Sequence, residues 1–280
     1  MLNTRTSSSV TLGTAAGEGG CARPLALPTL ASSGRVPRAS GPPARPTTPQ
    51  PPSPATARVG SYQLALQQLV DSALPTGAFA HSLGFEGYIE RELVLDEGSF
   101  AVWLGAFIGQ QLTYSDGLAV RFLYEGVDVL ELDALLSACL LPRQVREASV
   151  KMGTRLLEIG AEVFPSAELE LYRDLVTTGR AAGHQPLAFA VVARSLGVPL
   201  HEALAAHLFA TVTSLTQNAV RAIPLGQNAG QRLLRKAADD VAAAVERIPH
   251  LTPDDFGAVS PGLEISQMRH ERQRARMFMS

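Results

Sequence analysis

From Ser61 to Val245 the apolar residues of this chain recur every three or four positions, and period-two alternation is nearly absent. Such a pattern builds helices and leaves no strand from which to make a sheet. Leu66, Leu69, Val70 and Ala73 share one helical face, and after the Pro75-Thr76-Gly77 turn Phe79, Ser82, Glu86 and Ile89 follow a similar stripe. Phe100, Trp103, Leu104, Phe107, Ile108, Gln111 and Leu112 form the clearest stripe, with Asp96 or Ser99 as its cap. Leu132, Leu135, Leu136, Cys139 and Leu140 repeat the pattern. Pro142 suits the first turn of the next helix, which Val145, Ser149, Met152, Leu156, Ile159 and Val163 carry to a stop at Pro165. Ser166 caps a shorter acidic segment, and Pro186 and Pro199 start two more helices. Leu200, Leu204, His207, Thr211 and Leu215 mark a face of the second, and Leu233, Leu234, Ala237, Val241 and Val245 that of the last long helix. The expected fold is one all-α domain of about eight to ten helices joined by short breaks.

The N-terminal stretch is of another kind. Residues 1–58 hold ten of the 19 prolines and carry a net charge of +5 from six Arg and one Glu, which leaves −7 for the rest. No apolar periodicity survives there, so a disordered Pro/Arg/Ser-rich tail is expected. A transit peptide and a mis-set start codon near Val59 stay open beside it. The acidic remainder argues against a nucleic-acid surface. Two cysteines, Cys21 and Cys139, make neither a disulfide framework nor a zinc site and fit a reducing compartment, with Cys139 read as a small core residue. The charge-poor runs 98–115 and 203–220 contain Gln, Thr, Asn or His, so they are read as central helices or subunit contacts and not as membrane spans.

Catalytic signatures do not emerge. Neither lysine, Lys151 nor Lys236, follows a glycine, so the chain lacks a P-loop. His201 and His207 are six apart, the wrong spacing for two zinc ligands on one helix, and His207 is expected to face the core with its hydrogen bond satisfied. His184 precedes a helix start and reads as structural, and Asp116 reads as a helix cap. Ser82 and Ser195 lack the setting of a nucleophile elbow.

Two segments break helical runs with Pro and Gly and place polar side chains beside the turn: Ser72–Glu86, around Pro75 and Gly77, and Thr216–Gln231, around Pro224 and Gly226. With Gln111–Val120, Lys151–Leu157, His184–Phe189 and the terminal Glu271–Ser280, they make six stretches in order. Together these resemble the UreF family of urease accessory proteins from about Tyr62 to the end. The resemblance implies a cytoplasmic, homodimeric, all-helical assembly factor, with no catalytic residue and no bound cofactor or metal, in a domain spanning 59–280. Its implied partners are a UreD/UreH-type scaffold, the UreG GTPase and apo-urease, and its implied role is to regulate GTP-dependent nickel insertion. Nucleic acid and membrane are not among the partners.

Matched onto this chain, the resemblance places partner contacts at Pro75, Gly77, His81, Ser82, Gly84, Glu86, Arg221 and Gln227. It adds Glu271, Arg276, Phe278 and Ser280 in a tail that docks on the scaffold. Composition alone reads that basic-apolar tail as frayed and solvated. Gly77 and Gly84 equally suit a purely backbone role. The alternative from another class is an all-α enzyme or metal carrier using His81, Glu86 and Asp116.

Overall fold

Polar caps and prolines start the helices where the sequence marks them. A computed structural model describes residues 61–257 and 260–280, which fall in one unit, Ala55–Ser280. The expected extension 1–58, its Cys21 and the boundary at 59 lie outside the described residues. Among those described, the chain forms α1 (Ser61–Leu69), α2 (Glu86–Glu90), α3 (Glu97–Phe107), a π-helix (Ile108–Gly117) that runs on into α4 (Leu118–Tyr124), and α5 (Val129–Cys139). Then come α6 (Arg143–Val163), α7 (Ala167–Thr177), α8 (Gln185–Ser195), α9 (Leu200–Ala222), α10 (Gln227–Arg247) and α11 (Pro261–His270). No strand occurs among the described residues, and the all-α expectation holds.

Asp96 and Ser99 both cap α3, in a reciprocal capping box, and Ser166 accepts from the Leu169 N–H at the start of α7. Pro186 lies in the first turn of α8, while Pro142 and Pro199 stand one residue before α6 and α9. Every residue of α8 from Pro186 to Ala193 is buried, because α4, α6, α7 and α9 surround it. At roughly 1.5–3 kcal/mol for each large apolar side chain removed from water, this central helix anchors the domain. α10 instead buries one stripe, Leu233, Leu234, Ala237, Val241 and Val245, against its neighbours. No helix among the described residues is long and apolar enough to cross a membrane.

A buried carboxylate fixes the approach to α8. Asp133, inside α5, accepts the Tyr172 hydroxyl at 2.6 Å and the N–H groups of Ala182, Gly183 and His184 at 2.6, 2.9 and 3.3 Å. The His184 ring then lies between Ser137 Oγ (2.9 Å) and Ser149 Oγ (3.2 Å), a structural position as expected.

Four expectations need correction. The stripe Phe79–Ile89 is not one helix: Ala78–Ala80 forms a single 3-10 turn, Leu83 and Gly84 take positive φ (49° and 103°), and α2 begins only at Glu86. Asp116 caps nothing and sits inside the π-helix. Cys139 is half-buried at the end of α5, and burial pushes its thiol pKa up. His207 faces the core, but its Nε2 has no hydrogen-bond partner.

Candidate functional site

Backbone shape comes first in the Ser72–Glu86 segment. Gly77 takes φ 86° with open space around its Cα, so glycine is needed there for conformation and not for room. The positive φ of Leu83 and Gly84 then turns two successive N–H groups, Ser82 and Leu83, toward one point. That point is occupied by the main-chain oxygen of Ser280, at 2.6 and 3.1 Å, with the Ser82 hydroxyl donating to the same oxygen at 2.6 Å. Converging backbone N–H groups make an anion-binding concavity. Here the end of the chain fills it.

The rest of the tail is held as firmly. Both oxygens of buried Glu86 accept tail amides, Oε1 from Met277 N–H at 2.6 Å and Oε2 from Phe278 N–H at 3.2 Å. Met279 N–H donates to Ala80 O at 2.8 Å, and His81 Nδ1 lies 2.9 Å from Ser280 Oγ. The Phe278 ring stands 5.5 Å from that of Phe85, which joins a stack of Phe100, Trp103 and Phe107. Aromatic pairs of this kind add about 0.5–1.5 kcal/mol beyond burial. Met277, Met279 and Arg276 point outward. The last residues of the tail are not frayed, because the Met277, Phe278 and Met279 amides and the one inward ring have seats.

The second signature segment holds the seat from beneath. Asn218, buried in α9, donates to His81 O at 2.7 Å. Arg221 donates to Phe79 O and to Asn218 Oδ1, and its guanidinium lies 5.3 Å from the Phe278 ring centre. From α11, Ser266 Oγ donates to Gly84 O (3.2 Å), Gln267 Nε2 to Leu83 O (3.0 Å), and His270 Nε2 lies 2.9 Å from Glu86 Oε2. Gln267 also crowds Gly84: a Cβ there would come within 2.6 Å of Gln267 Cγ. At Gly84, then, both close packing and backbone geometry call for glycine.

Electrostatics tune the seat to neutral pH. Burial, helped by the charge of Lys151, pushes His81 down to about 4, so its ring is neutral at pH 7. A histidine held below its unfolded value of about 6.5 binds fewer protons folded than unfolded between the two. The stability it contributes is therefore complete above about pH 6.5 and is lost as pH falls toward 4. Thermal unfolding followed from pH 7.5 to 4.5 should show this decline, and His81→Asn should flatten its His81-dependent part.

The twelve residues marked in the sequence divide by burial. His81, Ser82, Gly84, Glu86, Phe278 and Ser280 are buried and meet one another. Pro75, Gly77, Gln227 and Arg276 are exposed, Arg221 is exposed but reaches into the seat, and Glu271 pairs with Arg143 at 3.1 Å. While the tail is seated, only the exposed ones can touch another protein. Asn218, Ser266, Gln267 and His270 were not singled out from the sequence. A polar trio at 266, 267 and 270, on one side of an α-helix, was the available signal. Of the alternative trio, His81 and Asp116 line one cavity, while Glu86 spends both oxygens on the tail and His270. No group of three or more His, Cys, Asp or Glu able to hold a metal occurs among the described residues.

A family model described as UreF matches residues 94–238, just over half of the 280. The chain belongs to the UreF family. A urease accessory protein UreF from Arthrobacter sp. (strain FB24) is 85% identical over 224 residues, covering 80% of this chain and 100% of that protein. Proteins of the same name from Kocuria rhizophila and Lachnoclostridium phytofermentans are 52% and 44% identical, over 78% and 79% of this chain and 96% and 99% of their own lengths. The UreF model takes in Thr216–Gln231 but neither Ser72–Glu86 nor the tail. Those two outer segments meet on the one it covers.

Proposed function

We propose that this UreF-family chain is an assembly factor for urease. It acts as a cytoplasmic helical dimer that bridges a UreD/UreH-type scaffold and the UreG GTPase on apo-urease, and it regulates GTP-dependent nickel insertion. It performs no chemistry of its own. The observation that supports this reading best is the convergence of Ser72–Glu86, Thr216–Gln231 and Glu271–Ser280 on one seat. There buried side chains bind the tail, while Arg276, Met277 and Met279 are left facing outward. A surface of arginine and apolar side chains on a fixed segment suits protein recognition.

The test is urease activity in cells carrying the urease operon with this gene deleted, then restored as the full chain or without residues 271–280. Deletion should abolish activity, the full chain should restore it, and the shortened chain should restore less than a tenth. Activity unchanged by deletion sinks the reading.

A further inference from the structure

Beside α9, and sharing His81, Leu83 and Gln267 with the tail's seat, a cavity of about 110 Å³ opens between α6, α8, the π-helix and the segment after α1. Three polar side chains, Gln111, Asp116 and His207, meet on its lining. Gln111 is 5% exposed, yet its amide makes no hydrogen bond within the described residues. His207 is 1% exposed and its Nε2 is unpaired, with Asp116 Oδ2 standing off at 3.5 Å. Asp116 makes no hydrogen bond among the described residues, and its charge also acts on His184. A buried polar group left unpaired costs about 1–3 kcal/mol, and His207 Nε2 is such a group, on a cavity that Gln111 and Asp116 also line.

The π-helix is what brings two of them together. Its i→i+5 bonding sets Gln111 and Asp116, five apart, near one face, whereas an α-helix would turn them away from each other. Segments of this kind are rare and recur at functional sites.

Charge selects the ligand. Asp71 and Asp116 line the cavity with His81 and His207, and among the described residues no Lys or Arg does. With two carboxylates on the lining and Lys151, whose charge reaches His81, outside it, the cavity favours a cation. No cluster of three metal-ligating groups stands there, which disfavours a metal ion. What is present is two acceptors, the Asp116 carboxylate and Gln111 Oε1, with His207 Nε2 accepting in the tautomer that carries its proton on Nδ1, beside the apolar face of Phe189. We infer that this cavity is a binding site for a hydrogen-bond-donating organic cation, a primary ammonium or guanidinium group. Its N–H donors bond Asp116, Gln111 and His207. The assignment does not rest on the urease role.

The test uses the full chain, titrated calorimetrically with agmatine and n-butylamine, while the His207 ring is followed by NMR. Saturable one-to-one binding that shifts the His207 signals is expected, weakened at least tenfold in Asp116→Asn and at least threefold in Gln111→Leu. Two folded variants keep the result readable if one is damaged. The blocked tripeptides Gly-Lys-Gly and Gly-Arg-Gly distinguish the sources: tighter binding than the free amines means a side chain of a docking protein, and weaker binding means a free amine. No binding of any of these probes to folded wild-type chain overturns the inference. So does binding that Asp116→Asn leaves unchanged, or an Asp116-dependent site that takes nickel or zinc ions and no amine.

Discussion

Replacing Glu86 with alanine will free the C-terminal tail. The carboxylate accepts the Met277 and Phe278 amides and faces His270 Nε2, so its loss leaves both amides unpaired and takes away the partner of His270. Hydrogen bonds to a charged group are worth about 1.5–3 kcal/mol each. These losses do not simply add, because the tail can leave. Once it has undocked, Met277 and Phe278 find water, so the loss in global stability stops at the free energy of docking. A loss of about 3 kcal/mol would lower the melting temperature by roughly 6–12 °C in a domain of this size.

The more direct readout is local. Carboxypeptidase should remove the last residues of Glu86→Ala far faster than those of the wild-type chain, whose Ser280 is 2% exposed. Removing 271–280 from the alanine variant should then add little further destabilisation, since both changes abolish the same contact. Equal protease protection of the tail in wild type and Glu86→Ala would mean that the aromatic seat alone holds it. If the proposed assembly role is right, Glu86→Ala should also behave like the shortened chain in urease activation.

How much of this could be read in the sequence depended on the distance over which each feature is decided. Trp103, Leu104 and Phe107 are buried as their spacing requires, and Ser166, Asp96 and Ser99 cap as their positions require, because those effects act within one or two turns. The stripe Phe79–Ile89 misled for the opposite reason. Its helix is broken by bonds to Ser280, Gln267 and Ser266, about 180 to 200 residues along the chain, which no local pattern encodes. Likewise, the unpaired Nε2 of His207 faces Asp116 of another helix at 3.5 Å, a meeting that no local pattern encodes. The twelve marked residues came from resemblance. Their division into buried seat and exposed surface came only with the fold.

A glycine inside one of the recognised stretches should be the least replaceable residue in the helical core. Gly153, in Lys151–Leu157, lies mid-way along α6, where alanine is ordinarily better by about 1 kcal/mol. A Cβ at 153, however, would come within 2.0 Å of Gly183 O, 2.7 Å of Gln185 N and 2.7 Å of His184 C. All three are backbone atoms, so no side chain can swing aside. The 183–185 segment would have to retreat, and Asp133 holds it in place through the Ala182, Gly183 and His184 amides. Overpacking typically costs about 1–3 kcal/mol where the surroundings can yield. Here it also strips bonds from a buried carboxylate, so a loss of about 3 kcal/mol or more is expected for Gly153→Ala. Two companion substitutions calibrate the result. At Gly160 the nearest atom is the end of a flexible side chain, Leu169 Cδ1 at 2.6 Å, and alanine should cost less. At Gly98, in the first turn of α3, the nearest is Asp96 Oδ1 at 3.6 Å, and alanine should be neutral or stabilising. Denaturant unfolding of the three variants should rank them in that order. A Gly153→Ala chain as stable as wild type would mean that α6 does not close on the entry to α8 as described.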